Sequence, residues 1–153
     1  LLLSKIDNGQ FTETVALELN ELLKQYMDDY KEVYAYRDIQ TEIVEDGIFC
    51  VQMNESLATI LITNLLKNAF VHNIDGGHIR IEITPHSFTF RNSGVGQPLD
   101  EERIFERFYQ GAKKEGSTGL GLAVVDAVCR LYGLKIAYSH ADGRHCFTVD
   151  FPA

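Results

Sequence analysis

Asn64, Asn68 and His72 recur every four residues within residues 58–73 (ATILITNLLKNAFVHN). At about 3.6 residues per turn they form a row along one edge of a helix. Leu57, Ala58, Leu61, Ile62, Leu65 and Ala69 make the broad apolar stripe beside them. A carboxamide next to such a stripe must find partners, because burying an unpaired amide costs about 2 kcal/mol or more. The row suits two roles: amides that satisfy the backbone of a neighbouring loop, or oxygen ligands for a hard divalent cation.

A second stretch favours the ligand role. Residues 116–122 (GSTGLGL) form a glycine-rich turn that runs directly into an apolar helix spanning residues 123–132. Backbone N–H groups at a helix N-terminus lack intrahelical acceptors, and with the helix dipole they bind phosphate. Amides for a metal and a glycine turn for phosphates together point to a nucleotide site.

The elements that must position these groups follow from periodicity and turn chemistry. Residues 1–6 read as the tail of an apolar helix closed by Asn8-Gly9, and residues 14–17 as a short strand. Leu19, Leu22, Leu23, Tyr26, Tyr30 and Val33 trace an amphipathic helix with acidic and basic residues on its solvated side. Residues 39–45 and 48–53 alternate about Asp46-Gly47 and are predicted to pair antiparallel as a hairpin. Asn54 is placed to cap the amide-bearing helix, and Asp75-Gly76-Gly77 follows its end. Residues 79–84 and 88–91 form two further strands, and Asn92-Ser93-Gly94-Val95-Gly96 leaves the second of them. A short helix is expected from Pro98, then an aromatic stretch at residues 104–110, then a flexible basic segment. Gly133 ends the last helix, and residues 135–139 and 145–151 close the chain as a hairpin about Asp142-Gly143. Hairpins combined with one-faced helices imply an α+β two-layer sandwich, with a mixed, mostly antiparallel sheet and three main helices on one face.

At 153 residues and 45% hydrophobic content the chain supports one core. The net charge of −8 argues against a broad nucleic-acid or membrane-surface footprint, so anions must be gripped locally. Cys50, Cys129 and Cys146 lack metal-ligand spacing and are expected as small core residues of a reducing compartment. No apolar run reaches the roughly 18 residues of a membrane span. The opening residues, Leu-Leu-Leu-Ser-Lys-Ile, suggest a helix cut partway along and hence an excised domain.

These motifs carry a resemblance. Residues 64–69 (NLLKNA), 104–110 (IFERFYQ) and 116–122 (GSTGLGL) resemble, in this order, the N, F and G2 boxes of the catalytic domain of sensor histidine kinases, within the Bergerat-fold (GHKL) ATPase superfamily. The likeness covers nearly the whole chain; residues 1–11 resemble the end of the preceding dimerisation helix and its linker, and residues 12–153 the ATP-binding domain. The resemblance implies ATP and Mg²⁺, with Asn68 as metal ligand, Asn64 beside it as a catalytic residue, and Arg107 on the transferring phosphate. His72, Asn73, Asn92, Gly94 and Gly96 would line the sugar and base, with Tyr109 and Gln110 near the lid. Thr118, Gly119, Leu120, Gly121 and Leu122 would present backbone donors to the phosphates.

Two positions depart from the family. Asn92 stands where an aspartate usually accepts the adenine amino group, and Val71 where many relatives carry a phosphate-facing lysine, a charge left to Lys113, Lys114 or Arg107. Asn64 replaces the glutamate that activates water in hydrolytic members, which favours transfer to a histidine, since an imidazole attacks with its own lone pair. The expected function is a two-component protein-histidine kinase domain, in the cytoplasm of a membrane-anchored bacterial sensor. Its γ-phosphoryl acceptor would sit on dimerisation helices upstream, and a response regulator would be its partner. The alternative is a non-catalytic nucleotide-sensing (pseudokinase) module, motivated by Asn92 and Val71. No contact with nucleic acid, and none of this domain with the membrane, is expected.

Overall fold

The computed structural model describes residues 2–94, Phe105 and residues 121–151. The element order is α1 (Leu2–Asp7), β1 (Val15–Glu18), α2 (Leu19–Val33), a 3-10 turn (Ala35–Arg37), β2 (Gln40–Glu45) and β3 (Cys50–Met53), then α3 (Glu55–Val71), β4 (His78–Thr84), β5 (Ser87–Ser93), α4 (Gly121–Leu131), β6 (Lys135–Ala141) and β7 (Arg144–Asp150). Five strands form one sheet in the order β2-β4-β5-β7-β6; β2 runs parallel to β4 and the remaining pairs are antiparallel.

Strand alternation divides this sheet into a dry face and a wet one. Ile79, Ile81 and Ile83 on β4, Phe88 and Phe90 on β5, and Phe147 and Val149 on β7 are buried. They join Leu23 and Met27 of α2, Leu57, Leu61, Leu65 and Phe70 of α3, and Val125 and Val128 of α4 in one apolar cluster, so the three long helices cover one face. The opposite face carries charges and hydroxyls. Arg80 pairs with Glu42 at 2.9 Å, Arg91 pairs with Glu82, and Thr89 meets Thr148 at 3.1 Å. This is the α+β two-layer arrangement that the alternation predicts, with the short α1 added: its Ile6 is buried in the same core.

The two Asp-Gly dipeptides read as hairpin turns behave differently. Asp142 and Gly143 both take positive φ, 54° and 73°, the pairing a two-residue type I′ turn requires, and β6 and β7 close tightly about them. At Asp46-Gly47 only the glycine does, with φ of 141°. A Cβ on Gly47 would lie 2.6 Å from the Pro85 ring, so the chain passes close under the β4–β5 turn. The predicted β2–β3 hairpin is therefore corrected: β2 pairs with β4, and β3 pairs antiparallel with β1 in a separate two-stranded ribbon.

Asn20 is the physical cause of that parting. Its buried side-chain amide donates to Glu45 Oε1 and to Gly47 O, both at 2.9 Å, and its oxygen accepts from Phe49 N–H at 2.9 Å. Leu19 N–H adds a bond to Phe49 O. The backbone groups that a hairpin would have paired are thus met by the first turn of α2. A further correction concerns the cysteines: Cys129 and Cys146 are buried, but Cys50 is exposed on β3.

Replacing Asn20 by alanine leaves the Phe49 N–H buried without an acceptor, and we expect a loss of about 2 kcal/mol in a urea unfolding experiment. An unchanged midpoint would refute this role.

Candidate functional site

α3 begins as the sequence indicates, with Asn54 Oδ1 accepting from Leu57 N–H at 3.1 Å. Leu57, Leu61, Leu65 and Ala69 face the core, and Asn64, Asn68 and His72 follow the edge of that face, each half-buried. The row therefore lies between core and solvent, where a ligand can reach it.

Its two ends meet different parts of the chain. Asn64 turns its amide nitrogen back to Ile60 O at 2.8 Å, leaving its oxygen outward. A Cβ placed on Gly121, the first residue of α4, would lie 3.2 Å from that oxygen. The glycine thus lets the start of α4 close on the amide row. Leu122, next along, is half-buried against the core. At the other end His72 caps α3, its N–H bonded to Asn68 O at 3.1 Å. Its carbonyl lies 3.2 Å from where a Cβ on Gly94 would stand, so the row also touches the segment leaving β5. Between these ends, the Asn68 carboxamide makes no hydrogen bond to any described residue.

Asn73 departs from its expected place against a nucleotide. It is fully buried, donating to Ala69 O at 3.0 Å and His78 O at 3.1 Å, and accepting from Ile74 N–H at 2.8 Å and Ser93 Oγ at 2.6 Å. With two donors and two acceptors engaged, the amide is saturated and joins α3, β4 and β5. Asn92 is the reverse case. It is 2% exposed, its amide nitrogen donates to Ser93 O at 3.0 Å, and its buried Oδ1 meets no donor among the described residues. A buried acceptor without a donor costs about 1–3 kcal/mol, and a ligand amine arriving there removes the penalty. Of the remaining sequence-predicted residues, Gly96, Arg107, Tyr109, Gln110, Thr118, Gly119 and Leu120 lie outside the described residues, as does the helix expected at Pro98.

Arg37 carries a role that residue spacing did not signal. From the 3-10 turn its guanidinium donates to the carbonyls of Phe70, Val71 (3.3 Å) and Asn73 (2.7 Å), and pairs with Asp75 at 2.9 Å. A cation at a helix C-terminus satisfies carbonyls that the helix leaves over and opposes its negative pole. Being the only arginine before Arg80 was the one trace of it in the sequence. Among the cysteines, burial pushes the Cys129 thiol up to about 12, which makes it inert.

Residues 53–153 match the sequence model of the histidine kinase-, DNA gyrase B- and HSP90-like ATPases. The sensor histidine kinase RppB of Synechocystis sp. is 30% identical over 165 residues, covering 99% of this chain and 36% of that protein. The chain spans about a third of the length of the curated relatives it matches. In fold it is similar to the nucleotide-free catalytic domain of histidine kinase ThkA, with a TM-score of 0.80, 23% identity, and coverage of 92% of this chain and 96% of that one. ThkA in complex with the response regulator TrrA gives a TM-score of 0.75 at 21% identity, covering 98% of this chain and 46% of that one.

The start of β4, which Asn73 and Ser93 hold, contains a titratable group. His78 Nε2 is buried with no partner among the described residues, and burial followed by the Arg144 charge holds its pKa below the ordinary 6.5. The unfolded chain therefore takes up the proton first as pH falls, so this contribution to stability is complete above pH 6.5 and is lost below it. Stability measured between pH 7 and pH 5 should accordingly fall less in His78→Gln than in the wild type, and parallel pH profiles would refute the assignment.

Proposed function

The chain belongs to the histidine kinase-, DNA gyrase B- and HSP90-like ATPase family, and from that premise we propose that it is the ATP-binding catalytic domain of a sensor histidine kinase, transferring the γ-phosphoryl group of ATP to a histidine on another segment. The observation that carries this reading is the continuity of one helix edge. It runs from the start of α4 at Gly121, through Asn64, Asn68 and His72, to Gly94 and the Asn92 oxygen, which meets no donor among the described residues. An anion-binding end, a metal-binding middle and an amine-accepting end are spaced along it in the order of a nucleotide's parts.

In that reading Asn92 Oδ1 accepts the adenine amino group. Its flip state is already fixed, because the amide nitrogen is held by Ser93 O. Asn68, whose oxygen meets no described partner, holds Mg²⁺ together with the triphosphate. The metal supplies charge neutralisation on the phosphate oxygens. Gly121 and Leu122 open α4 toward the phosphates, and Thr118, Gly119 and Leu120 are assigned to the same role on the sequence motif alone. Arg107 is assigned to the transferring phosphoryl group, and Tyr109, Gln110 and Gly96 to nucleotide binding; these assignments rest on the sequence motifs alone.

Asn64 faces the site one turn before Asn68, where a proton-abstracting carboxylate would be needed to activate water. Its amide cannot take a proton, so the chemistry is positioning and charge stabilisation of transfer to an acceptor that brings its own lone pair. The acceptor is assigned to dimerisation helices that residues 1–11 would continue, with residues 12–153 as the catalytic unit. A response regulator is the onward partner, as TrrA is bound to ThkA. The parent protein is taken to be a membrane-anchored sensor with this domain in the cytoplasm; no described helix is long and apolar enough to cross a membrane.

Calorimetric titration tests this reading. Wild type should bind Mg-ATP, and Asn68→Ala should bind it at least about tenfold more weakly, while the two should differ little for ATP in excess EDTA. Equal Mg-ATP affinities would remove Asn68 as the metal ligand, and no binding by the wild type would overturn the nucleotide reading.

A further inference from the structure

α3 is almost without charge. Between Glu55, its first residue, and Asp75 beyond its end, Lys67 is the only lysine, arginine, aspartate or glutamate. A solvated helix face commonly carries charges of both signs, set one turn apart. Here the residues one turn from Lys67 on either side are Thr63, Asn64, Phe70 and Val71. Lys67 is exposed and makes no ion pair or hydrogen bond with any described residue. Lys24, Arg80, Arg91 and Arg130, by contrast, each pair with a carboxylate.

The place of this lone cation on the helix is specific. It comes three residues after Asn64 and directly before Asn68. Residues three or four apart are neighbours on a helix surface, so Lys67 flanks the amide row on its solvent side, beside Asn64. The Cα–Cβ bond tilts toward the helix N-terminus, which carries the side chain over the turn of Asn64 and away from the His72 end. At that same end the start of α4 closes in, the Asn64 oxygen lying 3.2 Å from where a Cβ on Gly121 would stand. A flexible four-carbon stem lets the ammonium reach across this junction of the two helices.

The charge balance of the row gives the lysine a task. The amides of Asn64, Asn68 and Asn92 are neutral, Mg²⁺ cancels only part of the charge on a triphosphate, and the chain itself has a net charge of −8. Arg37, the other cation near α3, is committed to the carbonyls of Phe70, Val71 and Asn73 and to Asp75. A lysine at position 71 would grow from the residue whose carbonyl receives that guanidinium. Position 67 lies about 6 Å further along the helix axis, where like-charge repulsion is weaker.

Resting on the nucleotide reading above, we infer that Lys67 is a phosphate-binding residue whose ammonium pairs with the terminal phosphate of the bound nucleotide. The order along the row selects that phosphate: the amine-accepting oxygen of Asn92 marks one end, and Lys67 stands over the opposite one, past the metal-binding middle. A lysine acts there as a mobile point charge on the phosphate oxygens.

Calorimetric titration of the 153-residue chain with Mg-ATP and with Mg-ADP tests the assignment. In Lys67→Gln, Mg-ATP should bind about tenfold more weakly than in the wild type, and Mg-ADP within about twofold of it. Lys67→Arg keeps the charge and should hold most of the Mg-ATP affinity. Lys31→Gln removes the same charge from the exposed side of α2 and should change neither ligand. The inference is overturned if Lys67→Gln leaves the ratio of the two affinities at its wild-type value, if Lys67→Arg loses as much as Lys67→Gln, or if Lys31→Gln lowers Mg-ATP affinity equally. Each of those results leaves the nucleotide reading intact. Absence of Mg-ATP binding by the wild type removes that reading and this inference with it.

Discussion

The site depends on how the C-terminal end of α3 is held. A helix end leaves carbonyls without partners, and here they are met from two sides. Arg37 reaches in from the 3-10 turn to the carbonyls of Phe70, Val71 and Asn73, and the buried Asn73 amide ties the same corner to His78 O and Ser93 Oγ. Gly77 is part of the fit: a Cβ there would lie 2.2 Å from Asn73 Oδ1 and 2.4 Å from Ser93 Oγ. Because the corner is saturated with hydrogen bonds, His72 and the end of β5 have a fixed relation, and the polar edge of α3 is aimed instead of merely exposed. The aromatic stack of Tyr30, Tyr34 and Phe70 packs α2 against the same end of α3 and excludes water from it.

Much of this was legible in the sequence, for definite reasons. The four-residue recurrence of Asn64, Asn68 and His72 survives because α3 is regular from Glu55 to Val71. The Asn54 cap and the type I′ turn at Asp142-Gly143 are local devices, decided by residues within one or two positions. The Asp46-Gly47 reading failed because the competing partner, Asn20, comes from a distant turn of helix and bonds the groups that the hairpin needed. Asn73 was misjudged on the same ground. An amide at the end of an amide-bearing helix reads as one more site residue, and only the approach of Ser93 and His78 shows that its bonds are already made. Arg37 left almost no trace, since capping by a guanidinium from elsewhere in the chain has no spacing rule.

The polar groups fall into two kinds, and the distinction separates fold from function. Asn20, Asn73 and Arg37 are satisfied within the protein and hold it together. Among the described residues, the buried Asn92 oxygen meets no donor and the Asn68 carboxamide makes no hydrogen bond. Residues of identical type thus serve opposite ends, and residue type alone cannot sort them.

The separation of β2 from β3 bears on how the chain reaches this structure. The β4–β5 and β6–β7 hairpins close on neighbouring residues and can form as soon as they are made. The first strand of the large sheet has no such neighbour: Gln40 pairs with His78 and Glu45 with Ile83, across the whole of β3 and α3. During synthesis its pairing edge has no partner until that intervening stretch and β4 have emerged. Non-local parallel pairing of this kind slows folding and lengthens the time that an unpaired edge is exposed to other chains. Glu42 and Glu45, spaced along that strand, put charge on it while it waits, and charge on an open edge discourages self-association.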